Sequence, residues 1–182
     1  GWRVAYSFWN TLNGPFDFLD NRYPVPQHIC EFTHDLIGRG ALTFDKEAND
    51  AYVVTMHDSC NVARASRMGP NTGGQFTIPR DLIRATCNHF VDMDEDTIFE
   101  KTLCCGGGGG LLTDELMDLR VKGTMPRVTA LKKVMDEHKV NFLALICAIC
   151  KAQFNKMLPM YGIPMDTVGG VHQLVSNAIL LG

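Results

Sequence analysis

The hydrophobic pattern along this chain switches repeatedly between two periods. In "AYVVTMHDSC" the apolar residues are β-branched and nearly continuous and run into a polar turn, which predicts a strand. "KVNFLALI" repeats the pattern and predicts a second buried strand, Val140–Ile146. Around them the spacing is helical. Ile29, Phe32, Leu36 and Ile37 mark one face of a short helix in "QHICEFTHDLIGRG", stopped by Gly38 and Gly40. After a loop containing "MGPNTGGQ", the stretch "IPRDLIRATCNHF" predicts a helix started by Pro79, with Ile83, Cys87 and Phe90 on one face. "LLTDELMDLRVKG" offers Leu112, Leu116 and Leu119 as another apolar face. "MPRVTALKKVMDEH" reads as a further helix, capped by Thr124, with Pro126 in its first turn and Val128, Leu131, Val134 and Met135 inward. "CAICKAQFNKMLPMYG" turns helical, and "VGGVHQLVSNAILLG" predicts a closing helix.

Strands alternating with helices predict an α/β layered domain with a largely parallel sheet. Ligand sites in such sheets gather at the carboxyl ends of the strands, and both predicted strands run into cysteines there, Cys60 and Cys147. Residues 1–50 read as an opening segment, rich in turn residues and aromatics and partly extended through "NTLNGPFDFLDNRYPVP"; residues 51–182 read as the ligand-binding domain. The chain has no initiator methionine, and the expectation is a fragment continuing from a missing N-terminal part.

Composition narrows the chemistry. A net charge of −3 with no basic tract argues against a nucleic-acid partner. The longest apolar run, "VNFLALICAIC", falls far short of a bilayer span, and no secretory signal is evident, so the expected place is the cytoplasm. Seven cysteines is an odd number, which rules out complete disulfide pairing within the chain and directs attention to metal or redox chemistry.

Five of the seven fall in three groups: Cys60 in "HDSC", Cys104 and Cys105 in "CCGGGGG", and Cys147 and Cys150 in "CAIC". Adjacent cysteines diverge and cannot easily share one small tetrahedral ion, but they can bind different irons of one polynuclear cluster. Glycines beside them, Gly106, Gly107 and Gly108 first, let the backbone approach and aim N–H groups at sulfur. Zinc wants four ligands and suits five cysteines poorly. A dithiol relay on "CAIC" leaves the glycines unexplained, and the glycine run lacks the Lys–Ser/Thr pair of a phosphate loop. An iron–sulfur cluster is the best single account, with zinc, the relay and inert buried thiols as alternatives.

The order Cys, then Cys-Cys-Gly, then Cys-x-x-Cys resembles the cysteine-rich CCG domain of heterodisulfide reductases and related oxidoreductases. "HDSCNVARASRMG", "CCGGGGGLLTDELM", "RVKG", "ICAICKAQF" and "GGVHQLVS" look closer still to DsrK-type subunits of sulfite-reductase-associated membrane complexes, over nearly the whole chain. The resemblance implies a noncubane 4Fe–4S cluster held by Cys60, Cys104, Cys105, Cys147 and Cys150. It implies reductive cleavage of a disulfide, or of the trisulfide of a small DsrC-type partner protein. Electrons would come from quinol through quinone-interacting and cytochrome subunits, placing the chain at the cytoplasmic face of a membrane it does not itself span. Both long intervals between the cysteine groups are somewhat longer than usual for the family. The motif also occurs once, where heterodisulfide reductases carry two copies, so a two-cluster mechanism is not implied.

Other candidates are more open. His57 could donate a proton to a leaving thiolate or hydrogen-bond a cluster sulfur, or be a strand-end histidine held by backbone. Arg64 (with Arg67) and Lys151 could offset cluster charge or steer an anionic partner, or simply face solvent. Cys30 and Cys87 read as core, and His172 as a site residue or a cap.

Overall fold

A computed structural model describes residues 27–180, apart from 69–70 and 73–74. The extended opening read into residues 10–26 lies outside the described residues. Helix α1 (Ile29–Gly38) begins on a capping box: the His28 ring accepts from Cys30 N–H while Glu31 accepts from His28 N–H. Strand β1 (Val54–Met56) is wholly buried and runs into a single π-turn, Cys60–Arg64. A two-stranded antiparallel ribbon follows, β2 (Arg67–Met68) with β3 (Asn71–Thr72), then α2 (Thr77–Thr86). The chain continues through the glycine loop into the long α3 (Met117–His138), then β4 (Phe142–Leu145), α4 (Ala148–Met157), β5 (Val168–Gly170) and α5 (Val171–Ala178).

The strands β1, β4 and β5 form one parallel sheet with β4 in the centre, registered Val54 to Phe142 and Leu143 to Val168. Alternation along β4 builds both faces. Leu143 and Leu145 join Val128, Leu131, Cys150 and Phe154 on the side of α3 and α4. Phe142 and Ala144 join Leu82, Ile83, Val171 and Leu174 on the side of α2 and α5, with Cys30 of α1 and Cys87 in the same cluster. The period-2 strand pattern thus separates two cores, as a layered α/β domain requires. Cys30 and Cys87 are core residues, as expected of both, although neither lies on the helix face the spacing predicted.

Four local expectations are corrected. The third strand, β5, was hidden in a glycine pair read as the approach to a helix. A side chain at Gly169 would sit 2.0 Å from the Phe142 ring, so the strand survives there only because glycine makes room for a core aromatic. The two helices read around Gly123 are one continuous α3 passing through Pro126. Pro126 and Lys122, whose carbonyl loses its partner, both lie on the exposed side, where water can replace the missing bond. The buried face of α3 is Arg120, Thr124, Arg127, Val128, Leu131 and Val134, and Leu119 points outward; Thr124 is buried and caps nothing. In α1 the inward residues include Cys30 and Thr33, with Ile29 and Phe32 about half exposed. Finally, α2 ends at Thr86, so Cys87 is buried from an extended cap position and Phe90 bridges to Val54.

Candidate metal centre

Each cysteine group is delivered by a different local device. Beyond β1, the Ser59 hydroxyl accepts from the N–H groups of Asn61 (3.2 Å) and Val62 (3.1 Å), which caps the π-turn and fixes Cys60 at its start. Beyond β4, Cys147 occupies the N-cap of α4 and Cys150 its first turn, so two thiols i, i+3 apart face the same way. Cys104 and Cys105 lie on a loop tied down from several sides. Arg64 Nη1 donates to Thr102 O (3.0 Å), the Thr102 hydroxyl donates to Asp58 O (2.8 Å), and the Thr124 hydroxyl lies 2.9 Å from Cys105 O.

These devices converge. Cys60, Cys104, Cys105, Cys147 and Cys150 line one recess at the carboxyl end of the sheet, with Ser59, Asn61, Gly108, Gly109 and Ile149. All five are free thiols. Neighbouring thiols perturb one another's ionisation along the series Cys60, Cys104, Cys105, Cys150, Cys147. Cys30 and Cys87 are buried and do not line this recess, although Cys30 lines a neighbouring one that shares Cys147.

The electrostatics follow from that crowding. The Cys104 thiol is driven far down, first by hydrogen bonds from Cys105 and Cys60 and then by the N–H groups of Gly106 and Gly108. Cys147 is lowered to about 5 by the Cys150 thiol first, helped by N–H groups of the α4 N-terminus and the Ser59 hydroxyl. Their donors move the other way. Cys60 and Cys150 are pushed far up, by donation to Cys104 and to Cys105 and Cys147 respectively. Cys105 rises to about 11, chiefly through its bond to Cys104. Five sulfurs this close cannot all ionise beside one another without a cation. A polynuclear metal group held by these cysteines would relieve the conflict by binding them as thiolates.

The glycine run has two purposes. Gly106 takes a φ of +84°, and a side chain on it would lie 2.3 Å from Thr124 Oγ1 and 2.9 Å from Arg120 O, so it is cleared for helix α3. Its N–H donates to Cys104 Sγ at 3.3 Å, and the Gly107 N–H pulls Cys105 downward against its net rise. At Gly106 a bare backbone N–H does point at sulfur, and close packing on α3 is an additional cause of the glycine.

His57 is 1% exposed, and neither ring nitrogen has a hydrogen-bond partner among the described residues. A ring nitrogen and the sulfurs of Cys105 and Cys150 lie within 4.8 Å of one another. Burial first, then the charge of Arg127, holds the imidazole well below its usual range, so it is neutral. An orphaned buried imidazole beside thiols fits a metal-bound sulfur better than it fits a closed apolar core. Arg64 is an exposed tie to the carbonyls of Thr102 and Glu100 and does not line the recess. Lys151 and His172 line a neighbouring recess that shares Cys147, where His172 also shares a 3.0 Å hydrogen bond with Thr33. The side chain of Arg67 is outside the described residues.

Sequence reasoning missed the charged scaffold behind the site. Asp58, fully buried, accepts from Arg80 Nη1 (2.7 Å) and Nη2 (2.8 Å) and from Phe99 N–H (2.8 Å). Arg120, Thr124 and Arg127 are buried polar residues along one face of α3. Their i, i+4, i+7 spacing was visible, yet polar residues at that spacing ordinarily mark a solvated face.

The parallel sheet with a five-thiol recess at its carboxyl end defines a cysteine-rich α/β domain. The sequence model of the CCG cysteine-rich domain family matches residues 54–155, and the chain belongs to that family. It is 46% identical over 154 residues, 85% of this chain, to the Hdr-like menaquinol oxidoreductase iron-sulfur subunit 2 of Archaeoglobus fulgidus. It is 42% identical over the same length to the Hdr-like menaquinol oxidoreductase iron-sulfur subunit of Archaeoglobus profundus. It is also 31% identical over 125 residues, 68% of this chain, to one subunit of the dihydromethanophenazine:CoB–CoM heterodisulfide reductase of Methanosarcina acetivorans. These matches cover 26%, 26% and 27% of the respective relatives, so the chain spans about a quarter of their length. No solved structure matches. The resemblance to CCG-domain subunits of the heterodisulfide reductase family is thereby borne out.

Proposed function

We propose that this chain is the catalytic cluster domain of a disulfide-reducing complex, holding a noncubane 4Fe–4S cluster on Cys60, Cys104, Cys105, Cys147 and Cys150. The observation that carries the reading is the meeting of these five thiols, from three distant parts of the sequence, in one recess with backbone N–H groups aimed at sulfur. When bound, the cluster would supply electrons and an open iron site for a substrate sulfur. The chain's own residues supply the rest. Cys104 is exposed, so the recess opens to solvent on the side of the glycine loop. Gly106, Gly107 and Gly108 stabilise sulfur charge through their N–H groups, as Cys147 is stabilised by the α4 N-terminus. His57, buried and neutral, serves as a hydrogen-bond partner to cluster sulfur, and one proton for each electron taken up by the substrate sulfurs comes from solvent at the open side. Arg64 and Lys151, on the surface near Cys60 and Cys147, serve as docking charges for an anionic partner.

The substrate in this reading is the disulfide or trisulfide of a DsrC-type small protein in dissimilatory sulfur metabolism. Electrons come from quinol through membrane subunits, and the site lies on the cytoplasmic side. Among the described residues no helix is long and apolar enough to cross a membrane, which agrees with attachment through partner subunits. The relatives named for menaquinol oxidation and for heterodisulfide reduction support both ends of this electron path. The alternative is a closed iron–sulfur relay and docking module in the same kind of complex. Paramagnetic resonance of the anaerobic full-length protein separates the two. A catalytic site changes its cluster signal when a thiol or the partner's disulfide is added, whereas an unchanged signal at saturating substrate assigns the relay role.

A further inference from the structure

Among the described residues two arginines are completely buried, and they are held in opposite ways. Arg80 is ion-paired, with Nη1 2.7 Å from Asp58 and Nη2 2.9 Å from Asp92. Arg127, from the inner face of α3, makes no ion pair among the described residues. Its guanidinium donates to neutral acceptors only: Thr97 O, Thr102 Oγ1 at 2.9 Å, Leu103 O at 3.4 Å and the Met93 sulfur at 2.8 Å. A thioether is a weak acceptor for a guanidinium in a dry interior. Burial lowers Arg127 to about 10, whereas the paired Arg80 is raised. Of the groups that offset this cost at Arg127, Asp58 acts first, then Cys105 and Cys150, which carry charge only when a metal group holds them as thiolates. Asp58 is already bonded twice to Arg80 and once to Phe99 N–H, which leaves the recess sulfurs, once they are held as thiolates by a cluster, as the unshared counter-charge.

We infer that Arg127 is a fixed buried cation behind the Cys105–Cys150 side of the site, positioned to stabilise the negative charge of a thiolate-ligated cluster and to raise its reduction potential. The same residue grips the carbonyls of residues 97 and 103, so it also holds the loop that presents Cys104 and Cys105. Charge next to a cluster is one of the main controls on its potential, and a low-dielectric interior magnifies it. Arg127 is thus a positioning and tuning residue; it does not line the recess.

This inference rests on the proposed cluster, and the test separates the two. Arg127→Lys keeps the charge and loses the fork; Arg127→Gln loses the charge and keeps hydrogen-bonding capacity. Iron and acid-labile sulfide are measured in each full-length anaerobic protein, and the midpoint potential is read by resonance-monitored titration. Arg127→Gln should titrate at a lower potential than the unsubstituted protein, with Arg127→Lys lying between them. Loss of the cluster from Arg127→Gln alone, with retention in Arg127→Lys, supports the same conclusion. Equal midpoints in all three proteins would overturn it, as would equal loss of the cluster from both variants, because retained charge would then make no difference. An unsubstituted protein without iron and sulfide would instead refute the cluster reading on which the inference stands.

Discussion

Replacing Gly106 by alanine isolates what the glycine run contributes to the site. The new methyl would lie 2.7 Å from Thr124 N and 2.9 Å from Arg120 O, both backbone atoms of α3 that no rotamer change can move. It would also lie 2.3 Å from Thr124 Oγ1, whose contact with Cys105 O at 2.9 Å ties the loop to the helix. The φ of +84° costs a side chain about 1–2 kcal/mol. Forced displacement in a packed region adds about 1–3 kcal/mol, and losing the Thr124 bond about 1 kcal/mol. The total is roughly 3–6 kcal/mol, and the displaced segment carries two of the five thiols. Gly109→Ala is the control: φ there is +72°, but nothing lies within 4 Å of the added carbon, so only the strain of about 1–2 kcal/mol applies. Anaerobic thermal melts with iron determination on both variants provide the comparison. Gly106→Ala should melt well below Gly109→Ala, by roughly 2–4 °C per kcal/mol of difference, and bind less iron. Equal melting and equal iron would refute the claim that Gly106 is cleared for α3.

Other consequences are equally concrete. Cys104→Ser should lose most bound iron, whereas Cys87→Ser, remote from the recess, should keep its iron and lose only stability; an iron-free Cys87→Ser protein would show that the ligand set is misassigned. Asp58→Asn leaves Arg80 buried with one carboxylate fewer and should cost about 3–5 kcal/mol in denaturant unfolding, while a change under about 1 kcal/mol would mean the pair is not structurally important. His57 is held neutral in the fold, and free imidazole titrates near 6.5, so below that pH the unfolded chain binds the extra proton. Stability is therefore full above about 6.5 and falls as pH drops, by up to about 1.4 kcal/mol per unit. His28 and His172, also lowered, act in the same direction. In the metal-free chain Cys147, lowered to about 5, likewise loses its contribution as pH falls from about 9 through about 5. Unfolding of metal-free protein at about pH 7.5 and about pH 5.5 should show this loss, and His57→Phe should lessen it; identical slopes would remove the buried neutral imidazole from the account.

Much of this architecture was readable from periodicity because the determinants are local. The strands β1 and β4 are short, buried and β-branched or aliphatic, and each runs directly into a cysteine. The cysteine groups were legible for the same reason: sulfur at the carboxyl ends of parallel strands is a spacing visible in one dimension. What escaped depends on partners distant in sequence. β5 needs Phe142 to explain Gly169, and Gly106 needs Thr124. Arg127 on α3 resembles a solvent-facing residue until Thr97, Thr102 and Leu103 fold over it. For His57, burial, invisible along the chain, holds the ring neutral and so favours hydrogen bonding to sulfur over proton donation.

The central claim is that five sulfurs hold one polynuclear iron–sulfur group, and chemical analysis of anaerobically purified protein tests it most directly. About four irons and about four acid-labile sulfides per chain are predicted for a 4Fe–4S cluster. Zinc without labile sulfide, or iron without sulfide, would contradict it.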